Sequence, residues 1–217
     1  RFATPAQWHS FAPGRVNLLG EHVVYLGGRV LPAAIDKGIS ITARFERSGS
    51  LKILAADFDS EVEWTASALE KAPAKGKGSG WQTYFWGCLK ELSRLPGFAW
   101  RGGQLRISGD LPAGAGLSSS AAFEVASLQL FAAALGLELK GRELALAAQR
   151  VENLHVGTQC GIMDSFASVH GREGQFMSLD CARLEYTLHP GQMPGYSFIL
   201  LHSMVSHELG DNYNRIR

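Results

Sequence analysis

The stretch Gly109–Ala122 (Gly-Asp-Leu-Pro-Ala-Gly-Ala-Gly-Leu-Ser-Ser-Ser-Ala-Ala) constrains this chain more than any other. Three glycines, a proline and three consecutive serines separate an alternating, strand-like run at Gln104–Ser108 from an apolar run at Ser119–Leu135. Glycine lets the backbone bend sharply and lets a ligand come close to it. A helix starting at the serines aims unpaired N–H groups and its positive dipole end into the loop, a ready site for phosphate. A plain glycine turn with a serine N-cap is the alternative; the coincidence of glycines and serines favours the phosphate site. Two familiar phosphate loops are excluded, because there is neither a Gly-Lys-Ser/Thr ending nor a Gly-x-Gly-x-x-Gly spacing. With no loop lysine, nucleotide charge must be met by Mg²⁺ and by residues elsewhere. Mg²⁺ takes oxygen ligands, one or two of them from protein, and Ser120 with a carboxylate from another element suits that need.

Around this loop the chain reads strands, then helices, then strands, an α+β order rather than strict alternation. Strands are expected at Phe11–Leu19, over Val30–Phe45 (one or two), and at Leu51–Ala55 and Val62–Thr65, the last two at sheet edges. Gly20–Gly28 and Ala72–Gly80 read as loops, the second lying within a domain. Trp81–Leu92 has a helical stripe of Trp81, Tyr84, Phe85, Cys88, Leu89 and Leu92. Ser119–Leu135 is apolar almost all round, Glu124 and Gln129 excepted, which predicts a helix buried in mid-domain. Further helices are expected at Arg142–His155, ending at Gly157, and at Ile162–Val169, followed by strands at Gly174–Leu179, Leu184–Leu188 and Tyr196–His202. No internal repeat or low-complexity tract interrupts this order.

Bulk properties narrow the class. Of 217 residues, 46% are hydrophobic and 19% charged, enough for a sizeable core. A net charge of +1 gives no electrostatic footprint for nucleic acid or an acidic membrane. The three cysteines (Cys88, Cys160, Cys181) have no Cys-x-x-Cys spacing, which argues against a disulfide framework or zinc and suits a reducing cytoplasm. There is no signal-peptide pattern and no apolar run long enough to span a bilayer. The chain opens on Arg1 and stops at Tyr-Asn-Arg-Ile-Arg with no terminating signal, so a fragment is expected.

Outside the loop, three groups could carry chemistry. Glu152 sits near the end of a helix that otherwise faces the core; a solvated helix charge is its plainer reading. Asp164 follows Cys-Gly-Ile-Met at the start of a helix, whose dipole holds it ionised; it is either an N-cap or a group that takes or orients a hydroxyl proton. Arg15, a charge in an apolar strand, is expected to be paired. It is followed in Gly14–His22 by Glu21 and His22 on a loop, where binding groups concentrate, although each alone reads as a surface residue. The histidines other than His22 and His155 show no metal spacing and read as structural.

Taken together, Gly14–Tyr25 with Gly27–Pro32, Gly109–Ala122, and Val151–Asp164 resemble the GHMP small-molecule kinases. The first and third motifs, Gly-Arg-Val-Asn-Leu-Leu-Gly-Glu-His and Cys-Gly-Ile-Met-Asp, are similar to the galactokinase branch. The resemblance implies an α+β N-terminal domain with a mixed sheet, backing helices and a left-handed crossover, spanning residues 1–170. The start of a second domain would occupy residues 171–217. It implies ATP-dependent phosphorylation of a sugar hydroxyl, the anomeric one in galactokinases. Asp164 would be the base or orienting group and Arg15 its charge-stabilising neighbour. Pro112, Gly114, Gly116, Leu117, Ser118, Ser119 and Ser120 would hold the phosphates, Ser120 and Glu152 would serve Mg²⁺, and Trp81 would lie near the adenine. Glu21, His22, the Gly161 backbone and Tyr213 would line the sugar pocket. A monomer is the favoured state.

Two departures stand out. Val24 occupies the place of an aspartate that accepts hydrogen bonds from sugar hydroxyls, which counts against galactose and points to a different or modified sugar. Ser165 replaces a glutamine, a milder change. The family also continues well beyond the motif holding Tyr213. The alternatives are another GHMP kinase of the mevalonate type and a non-catalytic relative that senses sugar and ATP.

Overall fold

A computed structural model describes residues 7–47, 49–73, 80–112, 114–192 and 194–201. The larger sheet contains β1 (Trp8–Asn17), β3 (Pro32–Glu46), β4 (Leu51–Ala55), β5 (Ser60–Trp64) and β6 (Gly102–Gly109), in the order β1-β3-β6-β4-β5. All neighbours are antiparallel except β4 and β6, which run parallel, so the sheet is mixed. A second sheet joins β2 (Arg29–Val30) to the hairpin of β7 (Gln175–Asp180) and β8 (Glu185–Pro190).

Alternation decides which face is covered. Ile39, Ile41 and Ala43 of β3, Leu51, Ile53 and Ala55 of β4, and Leu105 and Ile107 of β6 point to the same buried side. Leu51–Ala55 is an interior strand, paired with β5 on one side and β6 on the other, rather than the expected edge. A strand with one buried face shows the same period-two pattern wherever it lies in the sheet, so position in the order is not written locally.

The helices α1 (Gly80–Leu92), α2 (Ser119–Leu135), α3 (Gly141–Arg150) and α4 (Met163–His170) cover that side. Helix α2 has the bounds expected from its composition. It packs on β1 and β3 and is enclosed by α1, α3 and α4, which is why it can be apolar all round. It ends at Gly136 (φ +66°), whose N–H reaches the carbonyls of Ala132 and Ala133. Phe85 of α1 is fully buried and meets Trp64, Phe123 and Phe131 at ring separations of 5.7, 6.4 and 5.9 Å.

Two further expectations change. The single helix read over Arg142–His155 is α3 followed by a π-helical turn at Val151–Val156, stopped by Gly157 (φ +94°). One wide turn shifts the facing of the residues in it and leaves hydrophobic spacing nearly unaltered, so periodicity does not reveal it. At Gly87 of α1 a side chain would meet Val151 at 2.7 Å and His155 at 3.0 Å, so glycine there lets α1 lie directly against the π turn. The strand expected at Tyr196–His202 is not formed over 196–201. Those residues have no regular structure, and Tyr196, Phe198, Ile199, Leu200 and Leu201 are exposed. Their apolar content meets no partner strand among the described residues. His202 and Tyr213 lie outside the described residues, as do 74–79 of the expected Ala72–Gly80 loop.

Because Phe85 fills the junction of α1, α2 and β5, Phe85→Ala is expected to cost about 3–5 kcal/mol in urea unfolding. A loss under 1 kcal/mol would show that the aromatic cluster is not a load shared by these elements.

Candidate active site

The site is built where the start of α2, the start of α4 and the end of β1 converge. In β1 the pairing register with β3 slips between Pro13 and Arg15, a bulge that re-aims the Arg15 side chain. Arg15 Nε and Nη2 both approach Asp164 Oδ1, at 2.8 and 2.7 Å, and Nη1 donates to the Gly116 carbonyl at 2.8 Å. Arg15 and Asp164 are 14% and 29% exposed, so the pair is shielded yet reachable from outside. The Arg15 N–H also donates to Leu117 O at 3.1 Å. At Gly14 a Cβ would sit 2.6 Å from that same carbonyl, so the loop can lie on β1 only because residue 14 has no side chain.

The loop itself turns on left-handed residues: Gly114 (φ +66°), Gly116 (φ +71°) and Ser118 (φ +58°). Ser118 stands at the N-cap of α2 but makes no side-chain cap. Its hydroxyl instead donates to Asp164 Oδ2 at 2.6 Å. The plain reading of this serine as a helix cap is therefore replaced by a tie to the acid, and the first-turn N–H groups of α2, at Ser119 and Ser120, have no side-chain cap. Asp164 lies inside the first turn of α4 with Ile162 at the N-cap position, so it is not the cap either.

Glu152 is not a solvated charge. It is buried in the π turn, and desolvation lifts its pKa to about 7; the Ser120 hydroxyl, hydrogen-bonded to it, opposes the rise, and the Asp164 charge adds to it. Its Oε2 is buried with no hydrogen-bond partner among the described residues. An orphaned carboxylate oxygen beside a serine hydroxyl is an oxygen set that fits Mg²⁺. Among the described residues no three His, Cys, Asp or Glu side chains are grouped to hold a metal. An ion here would therefore take few protein ligands and complete its shell with phosphate and water.

The π turn that carries Glu152 is pinned by Glu91 of α1, a residue with no signal in the sequence. Its side chain is 2% exposed and binds Arg94 at 2.7 Å, Arg150 at 2.6 Å and His155 at 3.0 Å. Burial alone would raise its pKa, but the hydrogen bonds from Arg150 and His155 and the charges of Arg150 and Arg94 outweigh that, and the net shift is downward.

On the acceptor side, Asn17 donates to Glu21 at 2.7 Å, His22 has φ +58°, and its ring stands edge-on to Tyr25 at 6.4 Å. The loop read over Gly20–Gly28 contains a single 3₁₀ turn, Val24–Leu26. The Val24 side chain leans on Gly161, where a Cβ would meet Val24 Cγ1 at 2.2 Å. Thus Arg15, Ser118 and Asp164 bond directly to one another, Val24 touches Gly161, and Asn17 ties Glu21 to the end of β1 two residues after Arg15. Glu152, bonded to Ser120, is buried. Pro112 lies within the loop, and its Gly116 and Leu117 carbonyls accept from Arg15. Trp81 is 6% exposed and belongs to the core stripe of α1, with its indole N–H buried and without a partner among the described residues.

Residues 83–172 match the GHMP kinases N terminal domain, and residues 1–45 match the galactokinase galactose-binding signature. The chain has the N-terminal fold of GHMP kinases. In sequence its likeness is to galactokinases. It is 38% identical to a galactokinase of Roseiflexus sp. over 95% of this chain and 51% of that one. It is 34% identical to one of Exiguobacterium sibiricum over 100% and 55%. It thus spans about half the length of these curated relatives. The crystal structure of Lactococcus lactis galactokinase complexed with galactose superposes with TM-score 0.80 at 29% identity, covering 96% of this chain and 53% of that one. The Methanococcus jannaschii mevalonate kinase shares the fold, with TM-score 0.70 at 20% identity over 85% and 56%.

Glu91→Gln is expected to destabilise the protein by about 1–3 kcal/mol at pH 7, since two arginines and a histidine lose a buried ionic acceptor. The folded pKa of Glu91 is depressed, so the ionic contribution is complete above its unfolded value near 4.5 and fades as pH falls through the lower folded value. Thermal melts of wild type and variant should therefore converge in acid. A gap independent of pH would show that charge on Glu91 is not what holds the turn.

Proposed function

We propose that this chain is the phosphate- and acceptor-binding part of a sugar kinase that moves the γ-phosphate of ATP to a monosaccharide hydroxyl, the anomeric one. The observation that carries this reading is the Asp164 carboxylate, gripped by Arg15 and Ser118 beneath the glycine loop. The galactose-binding signature over residues 1–45 favours the sugar branch over a mevalonate-type acceptor. The intact set of Arg15, Ser120, Glu152 and Asp164 favours catalysis over sensing alone. Residues 1–170 would form the catalytic domain and 171–217 begin a second one, the whole working in the cytoplasm.

The chemistry asked of the chain is positioning and charge balance. A carboxylate offers about four acceptor positions. Two bonds from Arg15 fall on Oδ1 and one from Ser118 on Oδ2, which leaves a place on Oδ2 for the proton of an acceptor hydroxyl. Arg15, fixed by Gly116 and Leu117, holds a positive charge beside that hydroxyl as it becomes the nucleophile. The uncapped start of α2 would take phosphate oxygens, and Ser120 with Glu152 would hold Mg²⁺. When bound, Mg²⁺ neutralises phosphate charge that a loop without lysine leaves unmet.

Val24 bears on which sugar is taken. It presents an apolar Cγ1 against Gly161, and nothing in its side chain can accept a hydroxyl proton as a carboxylate would. A sugar hydroxyl buried against it has no acceptor, at a cost of about 1–3 kcal/mol. The preferred acceptor is thus a sugar lacking, or carrying a modification at, the hydroxyl facing Val24.

In the full-length protein, Asp164→Ala should abolish phosphorylation in a coupled ATP-consumption assay over a panel of monosaccharides while calorimetry still registers nucleotide binding. Near wild-type turnover would remove Asp164 from the reaction. Val24→Asp should raise kcat/KM on galactose by about tenfold or more, the value of one restored hydrogen bond to a charged group; wild type already efficient on galactose would refute this reading of Val24.

A further inference from the structure

Glu124 of α2 is a carboxylate that neither the fold nor the proposed reaction uses. It is 0% exposed, and both of its oxygens lack a hydrogen-bond partner among the described residues. It lies four residues after Ser120, so both project from the same face of the helix. Glu152, bonded to Ser120, is close enough to act on Glu124 as a like charge, as is Asp164. Ser120 and Glu152 thus bring a serine hydroxyl and a carboxylate to the neighbourhood of Glu124, and three of the four carboxylate oxygens have no hydrogen-bond partner among the described residues.

A fully buried carboxyl with no hydrogen-bond partner on either oxygen is strongly unfavourable. Protonation relieves the charge and still leaves the group without an acceptor or donor on either oxygen. Replacement by an apolar residue would relieve both at once, so a purely structural role is poorly served by glutamate. A divalent ion reverses the balance, because two carboxylates and a hydroxyl then face opposite charge. Mg²⁺ keeps several of its waters, and those waters are donors of the kind Glu124 lacks. Arg15 is committed to Asp164 and Gly116.

We propose that Glu124 acts with Ser120 and Glu152 on the divalent ion, as a positioning residue that accepts hydrogen bonds from the ion's water shell from the core side of α2. This rests on the reading of Ser120 and Glu152 as the ion's protein ligands, and it adds a residue that sets ion affinity without touching the substrate. Outer-shell partners of this kind typically change metal affinity 10–100-fold when removed.

The test uses Mn²⁺ as the probe. Free Mn²⁺ is followed by electron paramagnetic resonance in the full-length protein with a non-hydrolysable ATP analogue, alongside thermal melts without divalent ion. Glu124→Gln should weaken Mn²⁺ binding by about tenfold or more while the ion-free protein melts at the same or a higher temperature. Glu124→Asp, which keeps the charge, should retain affinity within about threefold of wild type by the same outer-shell logic. Unchanged Mn²⁺ affinity in Glu124→Gln with a lowered ion-free melting temperature would overturn the proposal in favour of a structural carboxyl. Glu152→Gln separates the two levels. If it weakens Mn²⁺ binding and Glu124→Gln does not, only the role of Glu124 fails. If neither does, the ion is not held here and the reading of Ser120 and Glu152 fails with it.

Discussion

The ion pair between Arg15 and Asp164 joins residues 149 positions apart and brings the three parts of the site to one point. Arg15 belongs to β1, Asp164 to α4, and the guanidinium also holds the Gly116 carbonyl of the loop that leads into α2. Several local features exist to let that pair form. A register slip after Pro13 re-aims the arginine, Gly14 admits the Leu117 carbonyl, and the left-handed Ser118 turns its hydroxyl onto the acid. A part-buried pair such as this one is weak evidence for stability, since desolvation opposes its attraction. Its better use is geometric: with Nε, Nη1 and Nη2 all engaged, the guanidinium has one orientation, and so has the carboxylate facing it.

A second constraint is the imbalance of charge behind that pair. Asp164 and Glu152 raise the cost of ionising Glu124, Asp164 raises that of Glu152, and Arg15 is committed to Asp164. Such an imbalance is costly as it stands. Under the proposed function the glycine loop, which lacks a lysine, would bring phosphate charge to the same place, and a divalent ion would answer both deficits. Glu91 shows the contrast on the other side of the π turn. There a buried carboxylate has two arginines and a histidine, and it stiffens the turn rather than waiting for a ligand.

Much of this was legible in the sequence where one physical signal dominated. The bounds of α2 follow from an apolar run framed by serines and Gly136, and the glycine loop from its own composition. Arg15 as a paired charge follows from its place in an apolar strand. What was not legible depends on tertiary choice. The interior position of β4 has no local mark, and the π turn differs from α-helix by one residue per turn. The exposed run 196–201 has strand-like composition without a strand beside it among the described residues. Glu124 and Glu152 look alike to Glu143 by residue type; only the packing of α1, α3 and the π turn around α2 separates buried from solvated. Glu91 carries no signal of its own, because Arg150 at the end of α3 and His155 in the π turn are brought to it by packing, and only Arg94, just beyond the end of α1, is local.

Packing also explains how phosphate chemistry and acceptor choice can be held apart. The side chains behind the glycine loop, among them Ala122, Phe123 and Val125, belong to the main core between sheet and helices. Ile162, Met163 and Phe166, which carry Asp164, form a second cluster with Val30, Met177 and Leu179 of the smaller sheet, and Val23 and Val24 pack against it. The bonds from Arg15 and Ser118 to Asp164 therefore cross the seam between two cores. A change at Val24 acts on the second cluster, while α2 and the π turn pack in the first. Under the proposed function, acceptor preference would drift on one side of the seam without loosening phosphate binding on the other, so long as Arg15 still reaches Asp164.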